Sequence, residues 1–229
     1  MTTWIRERGA PARRWRLDVS LEEVAIEAHS DVLVLTGADV SRVRVHRGWF
    51  SARIDVDGPK PLQLRRLPRG EVPAVQAALQ RVLVRHRATP AVMAAAAWHR
   101  TVKATVEAAQ RDGRWITVEA RRALEAARPG PDVVAALQAA AVDLPTLFQP
   151  SELTAVRFLR EVDVAGWIAG INEEILAAET RRLRSFFDGV ESRPLTDEQI
   201  RAVVTFDNRV QVVAAAGSGK TSVMVARAA

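Results

Sequence analysis

An α+β architecture is the fold class this sequence predicts, and three observations carry it. Residues 33–64 hold short β-rich runs separated by turn residues, residues 90–190 place apolar side chains at helical spacing, and residues 210–229 read as strand, glycine loop and helix. The expected order is a small β-rich unit, a helical middle region and the opening of an α/β domain.

The β-rich unit is expected over residues 17–87. Leu33-Val34-Leu35, Val43-Arg44-Val45, Trp49 to Val56 and Leu62-Gln63-Leu64 are separated by Thr36-Gly37, His46-Arg47-Gly48 and Asp57-Gly58-Pro59, which are turn sequences. From Glu71 to Arg87 the apolar positions Val72, Val75, Leu79, Val82 and Leu83 recur at helical spacing, a face that closes one side of the sheet. Several antiparallel strands capped by one helix suggest a pleckstrin-homology-like (PH-like) barrel. Residues 1–16 read as a basic N-terminal arm. Arginines cluster at the edges of this unit: Arg13, Arg14 and Arg16 beside Trp15, Arg42, Arg44 and Arg47 beside Trp49, then Arg65, Arg66 and Arg69. Arginine interleaved with aromatics suits phosphate contact with base stacking. The favoured expectation is the plainer one, in which Trp15 and Trp49 are core or half-buried anchors beside a solvated cationic face.

Residues 90–190 read as helical. Ala91 to Gln110 is alanine-rich and stops at Arg111-Asp112-Gly113; Val118 to Ala127 forms a second helix, closed by Pro129-Gly130-Pro131. Breaks at Leu144-Pro145 and Gln149-Pro150 precede the longest expected element, residues 151–190. There Val164, Ile168, Ile171, Ile175, Leu183, Phe186 and Val190 form the stripe of a long amphipathic helix or hairpin arm.

The chemistry concentrates at residues 194–229. Val210-Gln211-Val212-Val213 is a strand-type run; Ala214-Ala215-Ala216-Gly217-Ser218-Gly219-Lys220-Thr221 follows as a phosphate-binding loop, and residues 222–229 can continue as a helix. In such a loop the backbone N–H groups at Gly217, Ser218, Gly219 and Lys220 point at phosphate oxygens, helped by the positive end of the helix. Lys220 would neutralise the β- and γ-phosphates and the Thr221 hydroxyl would ligate Mg²⁺. Upstream, Thr196 and Gln199 fit a capping box, with Asp197 and Glu198 complementing the helix dipole. A second role is open to Gln199, whose amide can both donate to and accept from an adenine edge.

Together, Leu195-Thr196-x-x-Gln199-x-x-Ala202-Val203 and the loop from Val212 to Thr221 resemble the Q motif and motif I of superfamily 1 DNA helicases of the UvrD/Rep type. That resemblance implies an ATP-dependent motor on single-stranded DNA, with a RecA-like domain over residues 191–229 that is cut short. It implies Gln199 selecting adenine, residues 214–221 cradling the phosphates of ATP, and Thr221 holding Mg²⁺. DNA is the implied substrate, and replication, repair or transcription proteins are candidate partners. Ala215 stands where many relatives carry glycine, and Ala214 where the general pattern has it. No acidic metal-binding segment, arginine finger or second motor domain follows, so the fragment is expected not to hydrolyse ATP. Two alternatives stay open: a non-enzymatic DNA- or protein-binding accessory module, and a phosphate-loop ATPase of another class.

Composition bounds these readings. The 229 residues are 48% hydrophobic and 26% charged, ordinary for a globular chain with a core to bury. Zero cysteines exclude disulfides and thiolate metal sites. No run approaches the ~18 apolar residues of a membrane helix, and Arg13-Arg14 lacks the apolar stretch a secretion signal needs. A cytoplasmic address without membrane attachment is expected. The net charge of +6 invites nucleic acid. Yet lysine occurs only at Lys60, Lys103 and Lys220, so part of the basicity reflects a bias toward arginine. His29, His46, His86 and His99 have no metal-ligand spacing, and Glu173-Glu174 and Asp197-Glu198 read as surface and dipole charges rather than acid/base pairs.

Overall fold

A computed structural model describes residues 2–6, 15–28, 31–49, 51–59, 61–208, 210–213, 217 and 219–228. The architecture is mixed, with two small antiparallel sheets followed by helices. The first sheet has the order β1 (Thr2–Arg6), β2 (Trp15–Val19), β3 (Glu23–Ala28), β4 (Asp31–Thr36). The second has the order β5 (Arg42–Arg47), β6 (Ala52–Asp57), β7 (Leu62–Leu67). In β2, β3 and β5 the more buried apolar residues alternate with more exposed ones, so one face is turned to the core. Leu17 pairs with Ile26 and Val24 with Leu35 in the first sheet; Val45 pairs with Ile54 and Ile54 with Leu64 in the second. These side chains form one core with Val72, Val75, Leu79 and Val82 of α1 (Val72–Asp112), whose spacing is the helical one the sequence predicts.

Strands β1 to β3 lie upstream of the runs that the sequence singles out. Residues expected as a basic arm include β1 and the first two residues of β2, paired antiparallel from Thr2–Val19 to Arg6–Trp15. The turn from β2 to β3 is fixed by Ser20, whose Oγ accepts from the backbone N–H groups of Glu22 and Glu23 at 3.2 and 3.0 Å.

Two helical expectations are corrected. Residues 71–87 and 91–110, expected as separate helices, form the single α1, and Pro90 lies inside it. An interior proline costs about 3 kcal/mol through the lost hydrogen bond and ring clash. Burial of Ala88, Ala91, Val92 and Ala95 on the opposite face offsets this, while Pro90 itself is exposed. The second correction concerns residues 151–190, which are three helices rather than one long element: α5 (Pro150–Glu161), α6 (Val164–Arg182) and α7 (Arg184–Gly189). Asp163 starts α6, its Oδ1 accepting from Ala165 N at 3.1 Å. The remaining helices are α2 (Val118–Ala126), α3 (Pro131–Ala139), α4 (Leu144–Leu147), α8 (Asp197–Val204) and α9 (Lys220–Ala228).

The chain divides into two compact units, Met1–Ala95 with Gly130–Val156, and Ala96–Pro129 with Arg157–Ala229. In the first, Arg85 ties α1 to α4 by donating to the Leu147 carbonyl, and its guanidinium lies 5.0 Å from the Phe148 ring. In the second, buried Asn172 of α6 grips the backbone of Ile116: its Oδ1 accepts from Ile116 N at 2.9 Å and its Nδ2 donates to Ile116 O at 3.0 Å. Trp98 is buried with its indole N–H donating to Leu124 O at 2.8 Å, so the polar edge of the ring is satisfied.

Val210–Val213, expected as the strand entering the loop, is not a strand. No described strand lies beside it to pair its N–H and C=O groups, and Val213 is 86% exposed. A strand of a parallel sheet is normally sheathed on both faces, and an isolated one has nothing to hold it.

Candidate nucleotide site

Helix α8 is placed from both ends. At its start the capping box forms as the sequence suggests: Gln199 N donates to Thr196 Oγ1 at 3.3 Å, and Thr196 N donates to Gln199 Oε1 at 2.9 Å. Its buried face is anchored by Ile200, which packs with Phe187, Leu195 and Ala226. Phe187 is 1% exposed, and its carbonyl accepts from Leu195 N at 3.1 Å, fixing the segment that leads into the cap.

Helix α9 packs on α8. Arg227 Nη1 donates to Ala202 O at 3.1 Å, and its guanidinium sits 5.3 Å from the ring of Phe206. Gly217 and Gly219 have φ of +77° and +83°, backbone that glycine adopts readily and other residues adopt with strain. Helix α9 then begins, with Val223 N donating to Gly219 O at 3.1 Å. A Cβ added at Gly219 would lie 2.1 Å from Gln199 Nε2, so this glycine lets the loop backbone approach the amide of α8.

A cavity of about 540 Å³ opens between these elements. Thr196, Gln199, Ala202, Val212, Lys220 and Val223 are among the residues that line it. The structure therefore brings Gln199 and Lys220 to one cavity and sets Gly219 against Gln199. Thr221 is exposed in the first turn of α9, and Gly217 is exposed. Ala214, Ala215, Ala216 and Ser218 lie outside the described residues. Beside the cavity Arg201 forms an ion pair with Glu173, donating through Nη1 to Oε2 at 2.8 Å. This hydrogen bond and the adjacent positive charge hold the Glu173 carboxyl below the usual carboxylate range.

One tether escapes sequence reasoning. Asp207, just after α8, accepts from Val118 N at 3.1 Å through Oδ1, and Asn208 Nδ2 donates to Glu119. It joins residues 89 positions apart, and no local pattern marks it. A second cavity in this unit, about 850 Å³, is walled largely by Trp115, Leu183, Phe186, Phe187, Val204 and Phe206 and offers mainly carbon surface.

Residues 195–229 match the UvrD/REP helicase N-terminal domain family. The chain is also 49% identical over 57 residues to DNA helicase IV of Escherichia coli (strain K12), a stretch that is 25% of this chain and 8% of that helicase. No solved structure shows a significant match. The family match and the identity support a UvrD-type helicase fragment.

Proposed function

We propose that the chain is the N-terminal part of an ATP-dependent DNA helicase of superfamily 1, similar to helicase IV, that couples ATP hydrolysis to translocation on single-stranded DNA and unwinding of duplex. The observation that carries this reading is that Gln199 and Lys220 line one cavity and Gly219 lies against Gln199, within the residues that match the UvrD/REP family. That match favours a helicase over a phosphate-loop ATPase of another class.

The residues fit ATP with Mg²⁺. Gly217 and Gly219 supply the left-handed backbone that turns N–H groups inward, and α9 presents its positive end there. Lys220 holds the terminal phosphates and Thr221 the metal, with residues 214–218 completing the cradle. Gln199 Oε1 caps α8 but, as a carbonyl, retains a second lone pair for an adenine amino group, so capping and base selection are compatible. Bound ATP and Mg²⁺ supply the phosphoryl chemistry; the chain's own residues bind and orient. Residues 191–229 open a RecA-like domain in this reading, with Val210–Val213 becoming a strand once neighbouring strands flank it.

The remaining domains are a basic arm at 1–16, a PH-like accessory domain at 17–87 and a helical region at 90–190. Sheets of four and three strands followed by α1 support the PH-like reading. Among the described residues no helix is long and apolar enough to cross a membrane. A cytoplasmic protein acting on DNA with replication, repair or transcription partners is the corresponding setting. The test is Gln199→Ala in the full-length helicase: the ratio of ATP to GTP turnover should fall toward one, and an unchanged ratio would remove the adenine role.

A further inference from the structure

We infer a second site, in the first unit, that binds single-stranded nucleic acid at the tip of the β5–β6 hairpin. It belongs to the other unit from the proposed nucleotide site and lies outside the residues that the family match reaches. Residues 42–69 carry seven arginines and one lysine against two aspartates, so this stretch is strongly cationic. Both aspartates are already engaged. Asp57 accepts from Arg44 Nη2 at 2.7 Å, and Asp55 lies between His46 Nε2 at 2.9 Å and Arg53 Nε at 3.0 Å. Among the described residues no carboxylate pairs with Arg47 or Arg66, which leaves their charge for an outside anion.

Backbone geometry concentrates that charge at the hairpin end. In the β6–β7 ladder Arg53 faces Arg65 and Ala52 faces Leu67, so Arg66 is an extra residue in a bulge. The bulge keeps Leu64 and Leu67 buried while two consecutive arginines point outward. Arg66 has φ of +60°, a conformation that costs a non-glycine residue about 1 kcal/mol or more. Arg69 Nε donates to Gly48 O at 3.1 Å, bracing the hairpin turn, and Arg47 and Arg69 border a cavity of about 410 Å³. Trp49 stands in the same turn and is 84% exposed, against the expectation of a core or half-buried anchor.

The chemistry selects the partner. Among the described residues of the second sheet and its turns, Trp49 is the one exposed large apolar side chain. Protein docking or insertion at a lipid surface calls for a contiguous apolar patch, which is missing among the described residues there. One open indole ring beside Arg47 and Arg66 fits a base stacked between phosphates, the recurring means of holding a single strand.

The test uses the 229-residue chain without nucleotide, so its outcome does not depend on the ATP site. Fluorescence anisotropy of labelled oligo(dT) and oligo(rU), about 20 nucleotides long, is followed across a salt series. Tight, salt-dependent binding is expected, and the tighter oligomer identifies the natural strand. Trp49→Ala should weaken it about tenfold by removing the stacked ring. Arg66→Gly removes charge and strain together: affinity should fall and the salt slope shrink by about 0.7, while the urea midpoint holds or rises. That split separates a binding role from a structural one. Unchanged affinity in both variants would overturn the site, as would capture by phosphatidylglycerol vesicles with no binding of either oligomer.

Discussion

Gly219 sets how closely the loop before α9 approaches Gln199, and its substitution is the most local test of the site. With φ at +83° and a Cβ position 2.1 Å from Gln199 Nε2, Gly219→Ala must move the loop or the glutamine. The expected result is a stability loss of about 1 kcal/mol in urea unfolding and a larger loss of ATP affinity in calorimetric titration of the full-length helicase. His99 offers a second residue-scale test. Its ring packs 4.6 Å from that of Phe158, and burial, then the charge of Lys103, lower its pKa from the ordinary 6.5. A histidine held neutral in the folded state contributes full stability above pH 6.5, and that contribution is lost as pH falls through the lowered value. Urea midpoints compared at pH 7.5 and 5.5 should drop more for the parent chain than for His99→Gln. At this scale the motif residues were legible because loop chemistry is written in adjacent positions. The exposure of Trp49 was not, since a tryptophan between arginines reads equally as anchor or as open ring.

Secondary-structure elements show a different limit. The face of α1 over residues 72–83 follows from spacing, but its continuity through Pro90 depends on tertiary burial that local rules do not see. Because Pro90 is exposed while its neighbours are packed, Pro90→Ala should restore a helix hydrogen bond without disturbing the core. Stability is expected to rise by about 1–3 kcal/mol, read as a higher urea midpoint at unchanged slope. Strands β2 and β3 were readable in retrospect, Leu17 and Val19 alternating with Asp18 as Val24 and Ile26 do with Ala25 and Glu27. Flanking charges hid that short period. Conversely, the apolar stripe over 151–190 reads as a long amphipathic helix or hairpin arm, because its spacing runs on past Asp163, the capping residue at which α6 starts. Removing the buried amide in Asn172→Leu leaves the backbone of Ile116 without its partners, a loss of about 2–3 kcal/mol expected in the same assay.

The whole molecule joins two compact units of different character. One is built on antiparallel sheets with a cationic hairpin tip; the other is helical and carries the residues that match the UvrD/REP helicase family. The helicase-family resemblance of residues 195–229 was legible in the sequence alone, because the glycine loop and the capping glutamine fall at a fixed spacing. The sequence could not show that residues 210–213 lack strand partners, since pairing is a property of the sheet around them. On the proposed reading, the central claim is that residues 195–221 form the ATP site of a DNA-dependent motor. Its most direct measurement is single-stranded-DNA-stimulated ATP hydrolysis by the full-length helicase, wild type beside Lys220→Ala, with circular dichroism to verify the fold. The prediction is stimulated turnover in the wild type and a loss of about a hundredfold or more in the variant with its spectrum unchanged. Equal turnover in a folded Lys220→Ala protein would contradict it.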